Sequence, residues 1–97
     1  MKADVKVNIL RIVDDSGYPT FVEFELVDCN GEHHYFIDKL PIISCYDTIP
    51  PYIGAMRCEI IEIKENTIVI DTSSPDDIES TNEKYQFEVN KDQVTLN

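Results

Sequence analysis

The sequence has little of what marks secreted and membrane proteins. It contains three cysteines and no tryptophan among 97 residues. Three cysteines cannot all pair within one chain, and none belongs to a Cys-x-x-Cys motif, so we expect reduced thiols. The Met1–Asp4 start lacks the apolar stretch of a signal peptide, and no segment approaches the roughly 18 apolar residues of a membrane span. These absences predict a cytoplasmic protein that does not act in a membrane.

Positive charge is also scarce. Eight lysines and arginines face nineteen aspartates and glutamates, which leaves a formal net charge of −11. Nucleic acids and anionic membranes need a positive surface, so both are excluded as partners. The charge favours a basic protein partner, and the alternative is that acidity serves only solubility.

Length and pattern indicate one β-domain spanning residues 1–97. The composition, 42% hydrophobic and 28% charged, is that of a globular chain. Residues 3–13 alternate apolar and polar side chains through Ile9 and change phase at Leu10, which predicts a strand with a bulge. No segment has the length or period of a convincing helix.

Two hairpins are predicted from turn residues. Asn30–Gly31 separates the β-prone segments 21–28 and 33–40 and is typical of a two-residue type I′ turn. The second hairpin joins segments 56–64 and 67–74 across Glu65–Asn66, with Ile63 opposite Ile68 and Ile61 opposite Ile70 on an inward face. Val94 and Leu96 are expected to close the last strand.

The type I′ turn predicts a register for the first hairpin. Leu26 then lies opposite Tyr35 and Phe24 opposite Ile37, on a face that packs inward. On the outward face, Glu23 lies opposite Asp38, with Glu25 nearby. Opposed like charges destabilise a hairpin, so either solvent screens the cost or a basic partner binds there.

These elements predict an all-β fold, a small antiparallel barrel of five to seven strands built on two tight hairpins. Oligonucleotide-binding-like, SH3-like and elongation-factor-type barrels all fit this outline. The segment between Asp71 and Glu83 holds five acids and no base, which is typical of an acidic solvated loop.

Parts of the sequence resemble a known family. The first hairpin reads Glu23-x-Glu25-Leu-Val-Asp28-x-x-Gly31 and continues as Phe36-Ile37-x-Lys39-x-Pro41, and the later segments are Ile78-Glu-Ser-Thr81 and Phe87-Glu-Val89. In these segments the chain resembles a family of small, stand-alone, uncharacterised bacterial β-proteins. The resemblance implies a bacterial intracellular β-protein and carries no activity.

Metal binding and catalysis find little support in the residue spacing. The soft ligands are Cys29, His33, His34, Cys45 and Cys58. Zinc needs about four converging ligands, and the two histidines point to opposite faces of one strand. Asp14–Gly17 and Asp76–Glu79 do not match a calcium loop, and no nucleophile motif is present. We therefore expect no metal, no cofactor and no enzyme activity.

Protein recognition remains the favoured function. Besides the acidic face, a Pro-stiffened loop over residues 44–54 carries two tyrosines that suit an interface; alternatively, these side chains plug one end of the barrel. The partner-binding residues predicted from the sequence are Glu23, Glu25, Asp38, Tyr46 and Tyr52.

The sequence leads to a non-enzymatic acidic protein-binding domain as the expected function. Its most concrete form is an immunity or inhibitor protein for a basic bacterial toxin or nuclease, because carboxylates can stand where such an enzyme expects phosphates. The alternatives are an accessory or structural module with a translation-factor-like barrel and, third, a small hydrolase or metal-binding protein. The oligomeric state is left open.

Overall fold

The computed structural model of the protein describes residues 1–40, 43–45 and 52–97, with only the backbone described for 43–45. The described residues form eight β-strands and a 3₁₀ turn, and they contain no α-helix. The strands are β1 (Lys2–Asp14), β2 (Phe21–Val27), β3 (His33–Lys39), β4 (Ile43–Cys45), β5 (Tyr52–Ile63), β6 (Thr67–Asp71), β7 (Gln86–Asn90) and β8 (Val94–Leu96), and the 3₁₀ turn is Lys91–Gln93.

The strands form one antiparallel sheet in the order β3-β2-β1-β5-β6-β7, with β4 added to β5 and β8 added to β1. The sheet curls into a half-barrel, which confirms the predicted all-β, barrel-like fold. Strand β1 lies at its centre and pairs with β2, β5 and β8. Within the described ranges, no helix has the length and apolar character needed to cross a membrane.

The first strand follows its sequence pattern closely. Its alternating apolar residues Ala3, Val5, Val7 and Ile9 are all buried. The register with β2 shifts between Ile9 and Arg11, so the bulge predicted at Leu10 is confirmed. A bulge increases the local twist and bends the strand, which suits a curled sheet.

The core lies on the concave side of the sheet. Phe24 and Phe36 stack with ring centroids 5.0 Å apart, and Phe87 meets Phe36 edge to face at 5.6 Å. These contacts bring β7 against β3, the two strands at opposite ends of the sheet order. The aromatic cluster therefore helps to close the half-barrel.

The predicted register of the first hairpin is wrong by one residue. Leu26 lies opposite His34, Phe24 opposite Phe36, and Glu23 opposite Ile37. As a result Phe36 is buried, whereas Tyr35 and Ile37 are 41% and 46% exposed. The opposed pair of Glu23 and Asp38 does not exist, since Asp38 lies opposite Val22.

The loop of this hairpin explains the difference. The N–H of Gly31 donates to the carbonyl of Asp28, and the N–H of Asp28 donates to the carbonyl of Glu32. The loop therefore has three residues, 29–31, with Gly31 at a φ of 80°, instead of the two of a type I′ turn. Because side chains alternate with period two, one additional loop residue exchanges the faces of β3.

The second hairpin is partly as predicted. Ile63 lies opposite Ile68, which confirms that pair, but Ile60 rather than Ile61 lies opposite Ile70 because the register shifts between Ile60 and Glu62. Ile61 and Ile63 are 53% and 51% exposed, so this end of the hairpin projects into solvent. Strand β8 forms where Val94 and Leu96 predict it.

The acidic segment 72–85 is not simply a solvated loop. Thr72, Ile78 and Ser80 are buried, and Ile78 belongs to the core cluster. Thr72 holds Ile78 in place, because the N–H of Ile78 donates to the Thr72 carbonyl and the Thr72 hydroxyl donates to the Ile78 carbonyl at 2.6 Å. One apolar residue and two small hydroxyl residues thus fasten the segment to the barrel.

The predicted loop over residues 44–54 is also shorter than expected. Strand β5 begins at Tyr52, and the Tyr52 side chain is in the core at 8% exposure. Its burial fits the alternative that the tyrosines fill the barrel end. Tyr46 lies outside the described residues.

Candidate functional site

The outer face of β2 and β3 carries two apolar side chains next to two carboxylates. Tyr35 lies opposite Glu25, and Ile37 lies opposite Glu23. We call these four residues the β3 face. Tyr35 and Ile37 face solvent because the three-residue loop exchanges the faces of β3. Together these two outward side chains form a small apolar surface.

The two carboxylates of the β3 face have partners within the chain. Glu23 accepts a hydrogen bond from Arg11 Nε at 2.9 Å. Glu25 contacts His33 Nδ1 at 2.8 Å and accepts a hydrogen bond from the Asn8 amide at 3.4 Å. These contacts offset the negative charge of the face, so replacing Glu23 would leave Arg11 without its partner rather than relieve repulsion.

Asp38, the third predicted carboxylate, is on the opposite side of its strand from Ile37, because neighbouring residues in a strand point to opposite faces. It contacts Lys39 Nζ at 3.6 Å and accepts the backbone N–H of Lys39. Glu23 and Glu25 therefore share a face, whereas Asp38 and the buried Tyr52 are apart from it.

The segment that carries two further carboxylates, Glu79 and Glu83, runs along the free edge of β3. The Thr81 N–H donates to the Tyr35 carbonyl at 2.8 Å, which brings the segment 72–85 alongside Tyr35. Ile78 and Ser80 point inward, whereas Glu79 and Glu83 are exposed. In the described part of the chain, no lysine, arginine or histidine nitrogen lies within 4.0 Å of either carboxylate. Unlike Glu23 and Glu25, neither carboxylate has an ion-pair contact among the described residues.

The other end of the segment is fixed by an arginine. Arg57 of β5 binds both oxygens of Asp76, Nε to Oδ2 at 2.9 Å and Nη2 to Oδ1 at 2.6 Å. The hydrogen bond and charge of Asp76 raise the pKa of Arg57. A bidentate pair of this kind holds the two side chains in a defined geometry in addition to pairing their charges. The segment is therefore held between β5 and β3.

A second group of polar side chains surrounds the hairpin loop between β2 and β3. Asp28, Glu32 and His34 each offer one ligand atom, and these atoms all lie within 4.8 Å of one another. His34 Nε2 is 2.8 Å from Asp28 Oδ2. Burial raises the pKa of the Asp28 carboxyl, but hydrogen bonds from His34 and from the N–H groups of Glu32 and Asn30 outweigh it, so the pKa lies below its usual value.

Of the soft ligands considered from the sequence, His34 is the only one that belongs to this group among the side chains that the structure describes, and the Cys45 side chain lies outside them. His33 points outward to Glu25, and Cys58 is buried in the core. Burial and the nearby Asp4 and Glu59 carboxylates raise the pKa of Cys58 to about 12. Burial, followed by Glu88 and Asp28, also raises the pKa of Cys29. At neutral pH both thiols are protonated and therefore weak nucleophiles.

A cavity of about 320 Å³ opens where β2 and β8 meet along β1. The Gln93 side chain bridges the gap, since its Nε2 donates to the Val27 carbonyl at 2.7 Å. The cavity is lined by Lys6, Asn8, Val27, Asp28, Asn90, Asp92 and Gln93. Its polar lining consists of the Lys6 ammonium group, amides and carboxylates. The cavity forms because β2 and β8 pair with different parts of the same edge of β1.

Sequence reasoning missed Tyr35, Ile37, Glu79 and Glu83 as an exposed group. The available signal was Asp28-x-Asn30-Gly31: an aspartate two residues before an asparagine can accept backbone N–H groups and extend the turn. Asp28 Oδ1 does so, from Asn30 at 2.9 Å and from Glu32 at 3.0 Å. For Glu79, the signal was the apolar residue Ile78 within an otherwise acidic segment, because the burial of Ile78 leaves the neighbouring Glu79 exposed.

Comparison with known proteins gives no match among protein-family models, curated proteins or solved structures.

Proposed function

We propose that this protein is a non-enzymatic acidic domain that binds a basic protein partner, and that the β3 face with Glu79 and Glu83 is its binding surface. The observation that carries the proposal is the contact of Thr81 with Tyr35. It brings the backbone of the segment that carries the exposed Glu79 and Glu83 alongside the exposed Tyr35.

The proposed surface has an apolar centre and a charged border. Tyrosines and aliphatic side chains at the centre of an interface supply most of its binding free energy, because water is excluded around them. Tyr35 and Ile37 occupy that position. Their neighbours on β2 are Glu23 and Glu25, which are held by Arg11 and His33 and so lose little rotamer entropy on binding.

The border charges account for the preference for a basic partner. A net charge of −11 attracts a cationic protein over a long range and accelerates association. Glu79 and Glu83 provide a local attraction next to the apolar centre. An inhibitor of a basic nuclease or toxin is the most concrete form of this function, since its carboxylates would occupy phosphate positions of the enzyme.

Thiol chemistry supports the non-enzymatic part of the proposal. Nucleophilic catalysis by cysteine needs a lowered pKa and an adjacent base. Cys29 and Cys58 both have raised pKa values.

The test begins with affinity capture from bacterial extract on the immobilised wild-type protein, followed by identification and purification of the captured protein. Binding is then measured directly for the wild type and for the double variant Tyr35→Ala, Ile37→Ser. Loss of a tyrosine anchor with its neighbour is expected to weaken binding by at least about tenfold. The control is Ile61→Ala, Ile63→Ser, which removes two similarly exposed side chains from the second hairpin and is expected to bind normally.

The electrostatic part is tested with Glu79→Gln, Glu83→Gln. This variant is expected to associate more slowly and to show a weaker salt dependence of the association rate, with little change in dissociation. If the captured protein is a nuclease or toxin, the wild-type domain should inhibit it and the β3-face variant should not. Equal affinity of the Tyr35, Ile37 variant and the wild type would refute the proposed surface.

A further inference from the structure

We propose that Asp28, Glu32 and His34 form a binding site for one divalent transition-metal ion of the zinc type. The inference is independent of the proposed protein-binding surface. It rests on three side chains of different burial whose ligand atoms converge at the hairpin loop.

Asp28 is fixed by the loop and presents one free oxygen. Its Oδ1 accepts the N–H groups of Asn30 and Glu32, and its side chain is only 12% exposed. Its Oδ2 points to His34. The same interactions that set the three-residue loop therefore orient a ligand, and orientation by surrounding hydrogen bonds is a property of metal-binding carboxylates.

His34 is a buried imidazole with its Nε2 directed at the same point. Its side chain is 8% exposed and packs against Phe87 with ring centroids 4.9 Å apart. The Nε2–Oδ2 distance of 2.8 Å is close to the separation of two ligands on one ion, which is about 3.0–3.4 Å for bonds of about 2.1 Å. An ion would lie between the two atoms in place of their hydrogen bond.

Glu32 completes the site from the solvent side. It is exposed, so its side chain can move the short distance needed to bring its oxygen from within 4.8 Å to bonding distance. One buried ligand, one half-buried ligand and one exposed ligand give an ion a route of entry from solvent. Water would fill the remaining coordination positions.

The ligand set selects the class of metal. Magnesium and calcium prefer oxygen ligands alone, whereas imidazole suits zinc, copper, iron and nickel. One imidazole nitrogen with two carboxylates matches the borderline ions of this series. The site contains no cysteine, which distinguishes it from the cysteine-rich set that the sequence suggested.

The experiment is titration of chelator-treated, full-length protein with zinc chloride by calorimetry. One ion per chain is expected to bind. Co²⁺, used as a spectroscopic probe, should show visible bands without thiolate charge transfer. Glu32→Gln should weaken zinc binding by at least about tenfold. Because Glu32 is exposed, this variant should fold normally.

Two controls separate this site from others. Glu65→Gln makes the same substitution in the turn of the second hairpin and should bind zinc like the wild type, as should Cys29→Ser. Absence of zinc binding at micromolar concentration, equal affinity of Glu32→Gln and wild type, or loss of binding in Cys29→Ser would overturn the proposal.

Discussion

Single carboxylates in this protein are held by hydroxyl and backbone donors as often as by cations. Asp71 accepts the N–H of Ser73 at 2.7 Å and also binds the Ser73 hydroxyl, and Asp14 accepts the N–H and hydroxyl of Ser16. Glu88 accepts the Thr67 hydroxyl at 2.6 Å and the Lys64 ammonium at 3.3 Å. Hydrogen bonds of this kind favour the charged carboxylate, so a chain with few bases can still stabilise its acids.

These contacts make stability depend on pH in a definite direction. The Thr67 and Lys64 hydrogen bonds lower the pKa of Glu88 from its ordinary value of 4.5. A carboxyl whose pKa is lower in the folded state contributes stability above its unfolded pKa, and this contribution is lost as the pH falls through the folded pKa. Asp14 and Asp71, whose pKa values are also lowered, act in the same direction. Unfolding in acid should therefore begin below about pH 4.

Substitution of Thr67 by valine tests this at one residue. Thr67→Val is expected to raise the pKa of Glu88 toward its ordinary value, because it removes the largest contribution to the shift. The pKa can be measured by NMR titration of the side chain. The stability difference between the variant and the wild type should shrink as the pH falls through the folded pKa. Thr95→Val, in the exposed strand β8, is the control, and an unchanged pKa in Thr67→Val would contradict the assignment.

At the scale of elements, the conformation of one loop residue determines which face of β3 meets solvent. Gly31 has a φ of 80°, and a side chain in that region costs about 1–2 kcal/mol. The loop also depends on Asp28, whose side-chain oxygen accepts the N–H groups of Asn30 and Glu32 in place of the carbonyl acceptors that a longer strand pairing would supply. Together, these two residues set the register of the β3 face.

Gly31→Ala is therefore expected to destabilise the protein by about 1 kcal/mol. Gly17→Ala is the matched control, because Gly17 has no positive φ and its added methyl group would meet nothing within 4 Å. That variant should be neutral or slightly stabilising. Chemical denaturation of both variants provides the measurement. Equal effects of the two substitutions would show that the loop conformation is unimportant.

The positions of strands were easier to predict from the sequence than the pairing and register between strands. The bulge at Leu10 and the Ile63–Ile68 pair follow from local patterns, since a change of phase or a tight turn is visible in a few letters. The register of β3 was mispredicted because Asn-Gly fits both two-residue and three-residue loops. The contact of Thr81 with Tyr35 joins residues 46 positions apart, and no local pattern specifies it.

At the scale of the whole molecule, charge repulsion opposes the compact fold. The chain has a net charge of −11 within extents of 43 × 26 × 23 Å. At about 0.01 M salt the screening length is about 30 Å, so carboxylates repel one another across the molecule. The ion pairs of Arg11, Lys39 and Lys64 are exposed and stabilise the fold only slightly.

Added salt is therefore expected to stabilise the protein. Raising potassium chloride from about 0.01 M to about 0.15 M shortens the screening length to about 8 Å. The melting temperature should rise by several degrees, since about 1 kcal/mol corresponds to about 4–8 °C in a domain of this size. Choline chloride should have the same effect if screening, rather than potassium binding, is responsible. A fall in melting temperature would mean that ion pairs outweigh repulsion.

The central position of β1 has a consequence for synthesis in the cell. Val5 pairs with Met56 of β5 and with Val94 of β8, so β1 is synthesised well before two of its partner strands. At about 5–20 residues per second, the interval between Val5 and Val94 is about 4–18 s. Until β5 is made, the apolar row of β1 has only the first hairpin to cover it. We therefore expect the nascent chain to bind chaperones that hold extended apolar segments until β8 is made.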